Sequence, residues 1–96
     1  MHVLILRADL HLPASQSLKA KRSVITSVVR HVDQLAAVAA AEVDYLDKWQ
    51  RAAIGITGVG NSVTHLEQAM DSVERYLWSR PEVEVLDLAR SWWDEP

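Results

Sequence analysis

Three features of the 96-residue sequence predict an α+β sandwich, with four antiparallel strands carrying two helices on one face. Segments with apolar residues at every second position open and close the chain, and two more lie side by side at its centre. Between them run two stretches whose apolar residues recur at spacings of three and four. The order β-α-β-β-α-β is that of the ferredoxin-like split βαβ sandwich, and right-handed crossovers set its strand order as 4-1-3-2.

The first strand is read over residues 2–12, where Leu4, Leu6, Ala8, Leu10 and Leu12 share one parity and Val3, Ile5, Arg7, Asp9 and His11 the other. Pro13 lacks the ladder donor and ends it. Ser17 caps a helix over about 18–34, with Leu18, Arg22, Ile25, Val29 and Val32 on its inner face. A capping box needs Glu or Gln at position 20, and Ala20 leaves that device half complete. The alanine-rich stretch from 37 to 45 has helical propensity, but Glu42 and Asp44 alternate with Ala41, Val43 and Tyr45, which favours a strand. A turn at about 46–48 joins it to a third strand whose Ala52, Ile54 and Ile56 point inward. Gly58, Gly60 and Asn61 break that strand and cap a second helix, with Leu66, Ala69, Met70, Val73 and Leu77 on one stripe. Pro81 stops the helix, residues 82–90 alternate as the last strand, and about 90–96 form a tail.

Composition bounds the function. A 49% hydrophobic and 24% charged chain of this length is expected to fold as one domain over 1–96 around a single core. A net charge of −3 gives no global attraction for nucleic acid, so such binding needs a local basic patch. Absence of cysteine removes disulfides and thiolate chemistry and suits the cytoplasm. Arg7 and Asp9 interrupt the apolar start, which reads as neither signal peptide nor membrane span.

The topology gathers Asp9, His11, Lys19, Lys21, Arg22, Glu42, Asp44, Asp47, Lys48, Trp49, Arg51 and Arg80 near one end, here called the top. Parity assigns Val3, Ile5, Arg7, Asp9, His11, Ala40, Glu42, Asp44, Trp49, Arg51, Ala53, Gly55 and Thr57 to the sheet face that the helices leave open. Lys19, Lys21 and Arg22 sit in a helical first turn, where the dipole disfavours cations, and so suit an anionic partner such as RNA phosphate. The alternative leaves them solvated, with Arg22 paired to Asp44 or Asp47. Asp9, His11, Glu42 and Asp44 match no fixed metal spacing; an ion-pair network with Arg51 is expected instead of a metal. No nucleophile-base arrangement is readable, so no enzyme and no cofactor are expected. Trp49 either stacks on a base or covers the hairpin end against the chain itself or a second subunit. The GVGNS run at 58–62 lacks the lysine and length of a P-loop and reads as a C-cap and N-cap pair.

The stretches SLKAKRSV at 17–24, AEVDYLDKWQRAAIG at 41–55 and PEVEVLDL at 81–88 resemble the YlxP-like proteins, a bacterial family built on domain of unknown function 503. The resemblance runs over nearly the whole chain and departs from the family pattern at Ala20 and in the WW tail. It implies the ferredoxin-like fold and a link to RNA, the ribosome or translation factors. The expected function is a non-enzymatic RNA- or ribosome-associated binding protein, with Lys19, Lys21, Arg22, Lys48, Trp49 and Arg51 at its partner site. The alternatives are a homo-oligomer, a dimer or larger, packed through its sheet faces, and a small-molecule sensor domain.

Overall fold

The computed structural model describes residues 1–95. It contains β1 (His2–His11), α1 (Leu18–Leu35), β2 (Ala39–Asp44), β3 (Arg51–Gly60), α2 (Val63–Ser79) and β4 (Glu84–Asp94). The strands form one antiparallel sheet in the order β2-β3-β1-β4, as the ferredoxin-like reading expects. Leu4, Leu6, Ala8, Leu10 and Leu12 are all buried, and Ala52, Ile54 and Ile56 join them beneath the two helices. Each large aliphatic side chain removed from water in this way contributes about 1.5–3 kcal/mol.

Helix α1 starts where Ser17 Oγ accepts a hydrogen bond from the Ala20 amide at 3.0 Å, the cap read from the sequence. Its buried stripe is Lys21, Ile25, Val28 and Val32, rotated from the expected one. Arg22 is exposed, while Leu18 and Val29 are half-buried. Lys21 finds a buried partner on β2, while Ile25, Val28 and Val32 pack into the core.

Strand β2 carries the second departure. Glu42 stands opposite Ile54 and Asp44 opposite Ala53, so Val43 is one residue too many and forms a bulge. Ahead of the bulge, Ala40 and Glu42 share the helix-covered side with Ile56 and Ile54, not the open face expected from simple alternation. Beyond it, Asp44 lies on the open face as expected. One inserted residue thus sends two neighbouring acids to opposite sides of the sheet.

A second bulge interrupts β4, between the pairs Asp9 with Asp87 and Leu10 with Val85. The strand continues to Asp94, so the tail expected from about residue 90 is β-structure up to that point. Trp92 pairs with Leu4 and Trp93 with Val3, which puts the two indoles on opposite sides of the sheet, 41% and 50% exposed. Residue 96 lies outside the described residues.

The GVGNS run also works differently from expectation. Strand β3 continues through Gly60, and Ser62 caps α2 by accepting from the His65 amide at 3.3 Å. No glycine has positive φ. A Cβ at Gly58 would stand 3.1 Å from Leu66 Cδ2 and 3.4 Å from Val38 Cγ1, so this glycine lets α2 approach the sheet closely.

Candidate functional site

The first turn of α1 and the β2–β3 loop are joined by one buried ammonium. Lys21 is fully buried, and its Nζ donates to the carbonyl of Tyr45 at 2.7 Å and to that of Leu46 at 3.4 Å. The Glu42 carboxylate lies 2.5 Å away as counter-ion. This last contact is ion to ion, because Glu42 Oε2 accepts no well-directed hydrogen bond. Lys21 therefore cannot reach a phosphate in solvent, and its expected place in an RNA contact is corrected: burial and three oxygen partners make it a structural joint.

The loop from Tyr45 to Gln50 is pinned at both ends. Tyr45 has a left-handed backbone with φ 60°, costly for a residue carrying a Cβ. That conformation turns its carbonyl toward Lys21, its amide donates to Asp44 Oδ1 at 2.8 Å, and the Arg51 guanidinium lies 4.5 Å above its ring. The Lys48 amide donates to the Tyr45 carbonyl at 3.0 Å and closes the turn. At the far end, Gln50 Nε2 donates to the Pro13 and Ser15 carbonyls at 3.3 and 3.2 Å, and the Leu12 amide donates to the Gln50 carbonyl at 2.9 Å. Leu46 and Trp49 remain 58% and 54% exposed on this tethered loop.

The open sheet face holds a separate network. Arg7 donates to Asp44 at 3.1 Å and to Asp9 at 3.3 Å. These hydrogen bonds, to Asp44 first and then Asp9, raise the Arg7 pKa. The Asp44 carboxyl is lowered, first by the Tyr45 amide and then by Arg7. His11 pairs with Glu84 at 3.0 Å. Arg7 thus takes the role expected of Arg51, which is engaged with the Tyr45 ring. Asp9, His11, Glu42 and Asp44 do not converge on one point: Glu42 lies under the helices, His11 faces β4, and the two aspartates share Arg7.

Helix α1 presents a different chemistry outward. Lys19, Arg22, Ser23, Thr26, Ser27, Arg30, His31 and Gln34 line a shallow trough of about 630 Å³. Every lining residue is polar, three are permanent cations, and none is acidic. His31 stacks on Tyr76 with ring centroids 3.9 Å apart, and Arg80 donates to Ser27 Oγ at 3.2 Å and to the Tyr76 hydroxyl at 3.0 Å, so α2 braces one side. Among the described residues, none of Lys19, Arg22, Arg30 and Lys48 has a carboxylate within ion-pair distance. Neither does Asp47 have a cation, so the alternative pairing of Arg22 with Asp44 or Asp47 does not form. Of the described lysines and arginines, Arg7, Lys21, Arg80 and Arg90 are those held by acids.

The expected partner residues therefore divide by face. Lys19 and Arg22 lie on the outer side of α1, Lys48 and Trp49 at the adjoining loop, Arg51 on the open sheet side, and Lys21 inside. Sequence reading missed Arg30 and Arg7. Arg30 sits two turns beyond Arg22 in an all-polar series with spacings of one, three and four, a signal visible in the sequence. Arg7 was visible too, but its partner depended on the bulge.

Among the described residues no helix is long and apolar enough to cross a membrane. A family model described as a protein of unknown function, DUF503, matches residues 3–90. The uncharacterized protein YlxP of Bacillus subtilis (strain 168) is 33% identical over 76 residues, covering 79% of this chain and 83% of that relative.

Proposed function

The chain belongs to the DUF503 family of proteins of unknown function, and from that premise we propose that it is a non-enzymatic cytoplasmic protein that binds RNA along the outer side of α1. The observation that carries this reading is the acid-free trough with three unpaired cations, in a chain with 13 acids against 10 lysines and arginines. Lys19 to Arg30 spans roughly 17 Å at the helical rise of about 1.5 Å per residue, enough for successive phosphates of one strand. An anion at Lys19 also offsets the unfavourable placing of a cation in the first turn of α1. Serine and threonine hydroxyls between the cations add neutral donors for phosphate oxygens. Ribosomal RNA is the first substrate to test, since the family resemblance links these proteins to translation.

The test is binding of purified ribosomal subunits and of ribosomal RNA fragments across a salt series. Three phosphate contacts give a slope of log affinity against log salt near −2, from about −0.7 per contact on single strands. Changing Lys19, Arg22 and Arg30 to Glu abolishes binding on this reading. Binding that ignores salt, or survives the triple change, counts against it.

A second reading rests on the open sheet face, where Ile5, Val43, Val59 and Trp93 are 41%, 51%, 62% and 50% exposed. Apolar surface of this kind suits a second copy of the chain. Sedimentation of the protein as a dimer, made monomeric by Ile5→Lys, supports that reading; a monomer in the unaltered protein removes it.

A further inference from the structure

Trp49 is 54% exposed on a loop tied to the first turn of α1, and that mounting is the informative feature. An exposed indole on a loose loop would lose conformational freedom on meeting a ligand. Here Lys21 holds the carbonyls of Tyr45 and Leu46, which precede Trp49 in the loop, and Gln50, which follows it, holds those of Pro13 and Ser15. Lys21 also stands in the same helical turn as Lys19 and Arg22. The loop and the basic end of the trough are consequently one rigid unit. The loop's single acid, Asp47, is offset by its neighbour Lys48, so the cations of α1 set the local sign.

We infer that Trp49 is a stacking platform for an unpaired base, and that the ligand is therefore single-stranded nucleic acid rather than duplex. This rests on the RNA reading above and narrows it. The bases of a duplex are already stacked on one another and hidden from a projecting indole, whereas a single strand offers π faces next to its phosphates. A strand entering over Trp49 places its following phosphates along Lys19 and Arg22 and then toward Arg30. The arrangement differs from recognition through aromatics on central strands: the open faces of β1 and β3 carry Val3, Ile5, Ala53 and Gly55 at those positions.

The experiment compares a labelled oligouridylate with an RNA duplex of equal length, at low salt, against the unaltered protein, Trp49→Ala, Trp49→Phe and the Lys19/Arg22/Arg30→Glu protein. Trp49→Ala is expected to weaken single-strand binding about 10-fold, Trp49→Phe to recover part of that loss, and neither to alter duplex binding. Quenching of tryptophan fluorescence by the oligouridylate should vanish in Trp49→Phe, although Trp78, Trp92 and Trp93 remain. If Trp49→Ala binds the single strand like the unaltered protein while the triple variant does not, the stacking inference is overturned and the trough reading stands. Equal weakening of single strand and duplex by Trp49→Ala also overturns it. If the unaltered protein binds neither RNA, both readings fall.

Discussion

The ammonium of Lys21 meets the carboxylate of Glu42 at 2.5 Å beneath α1, with the lysine side chain fully hidden from water. A buried charge is tolerated only when its partners are complete, and here a carboxylate and two main-chain carbonyls surround it. Lys21→Met leaves Glu42 without a counter-ion, the Leu46 carbonyl without its donor and the Tyr45 carbonyl with the Lys48 amide alone. It should lower unfolding stability by about 3–5 kcal/mol, read as a lower midpoint in urea. Lys21→Arg should also destabilise, because a planar guanidinium does not fit the space of a compact ammonium.

The loop's far tether makes a smaller and more local prediction. Gln50→Ala removes two donated hydrogen bonds, to Pro13 and Ser15, from an otherwise exposed side chain. The expected cost is about 1 kcal/mol in global stability. Amide exchange should quicken selectively at Lys48 and Leu12, whose amides close the loop, and stay unchanged in the centre of β1.

Acid should reach the fold through Asp44. Its folded pKa lies below the ordinary 3.8, chiefly through the Tyr45 amide and then through Arg7. A carboxylate lowered in this way stabilises the fold fully above its unfolded pKa and loses that contribution as pH falls through the folded value. Asp44→Asn should therefore lower the thermal midpoint at neutral pH, and the gap to the unaltered protein should close progressively below about pH 4. A gap that persists unchanged into acid would contradict the assignment.

Packing on the open face yields a paired test. A Cβ at Gly55 would stand 3.0 Å from Val43 Cγ1, so Gly55→Ala forces the valine of the bulge to shift. The single change should cost about 1 kcal/mol by overpacking. In a Val43→Ala background the same change should cost almost nothing, since the colliding methyl is gone; denaturation of the four proteins measures this.

Much of the architecture was legible because period-two and helical patterns were strong. Leu4 to Leu12 and the Ala52, Ile54, Ile56 series assigned the inner faces of β1 and β3, and Ser17 marked the start of α1. The site was less legible for two physical reasons. Helical spacing alone did not reveal that Lys21, rather than Arg22, faces inward, because its partner lies 21 residues away on β2. Alternation through residues 40–44 placed Glu42 beside Asp44, but the bulge at Val43 depends on how β2 pairs with β3. Once that parity changes, the acids read as one network become two: Glu42 serves Lys21 within, and Asp44 serves Arg7 outside. The basic cluster divides in the same way, leaving Lys19 and Arg22 to join Arg30 on the outer side of α1.

SLKAKR and AEVDYLDKWQRA meet through Lys21 and Glu42 as a structural joint. The most direct test is a double-mutant cycle by urea denaturation with Lys21→Met, Glu42→Leu and the two combined. A joint predicts that the double variant is more stable than Lys21→Met alone, with a coupling of about 1.5 kcal/mol or more. Two single effects that add to within about 0.5 kcal/mol would contradict it.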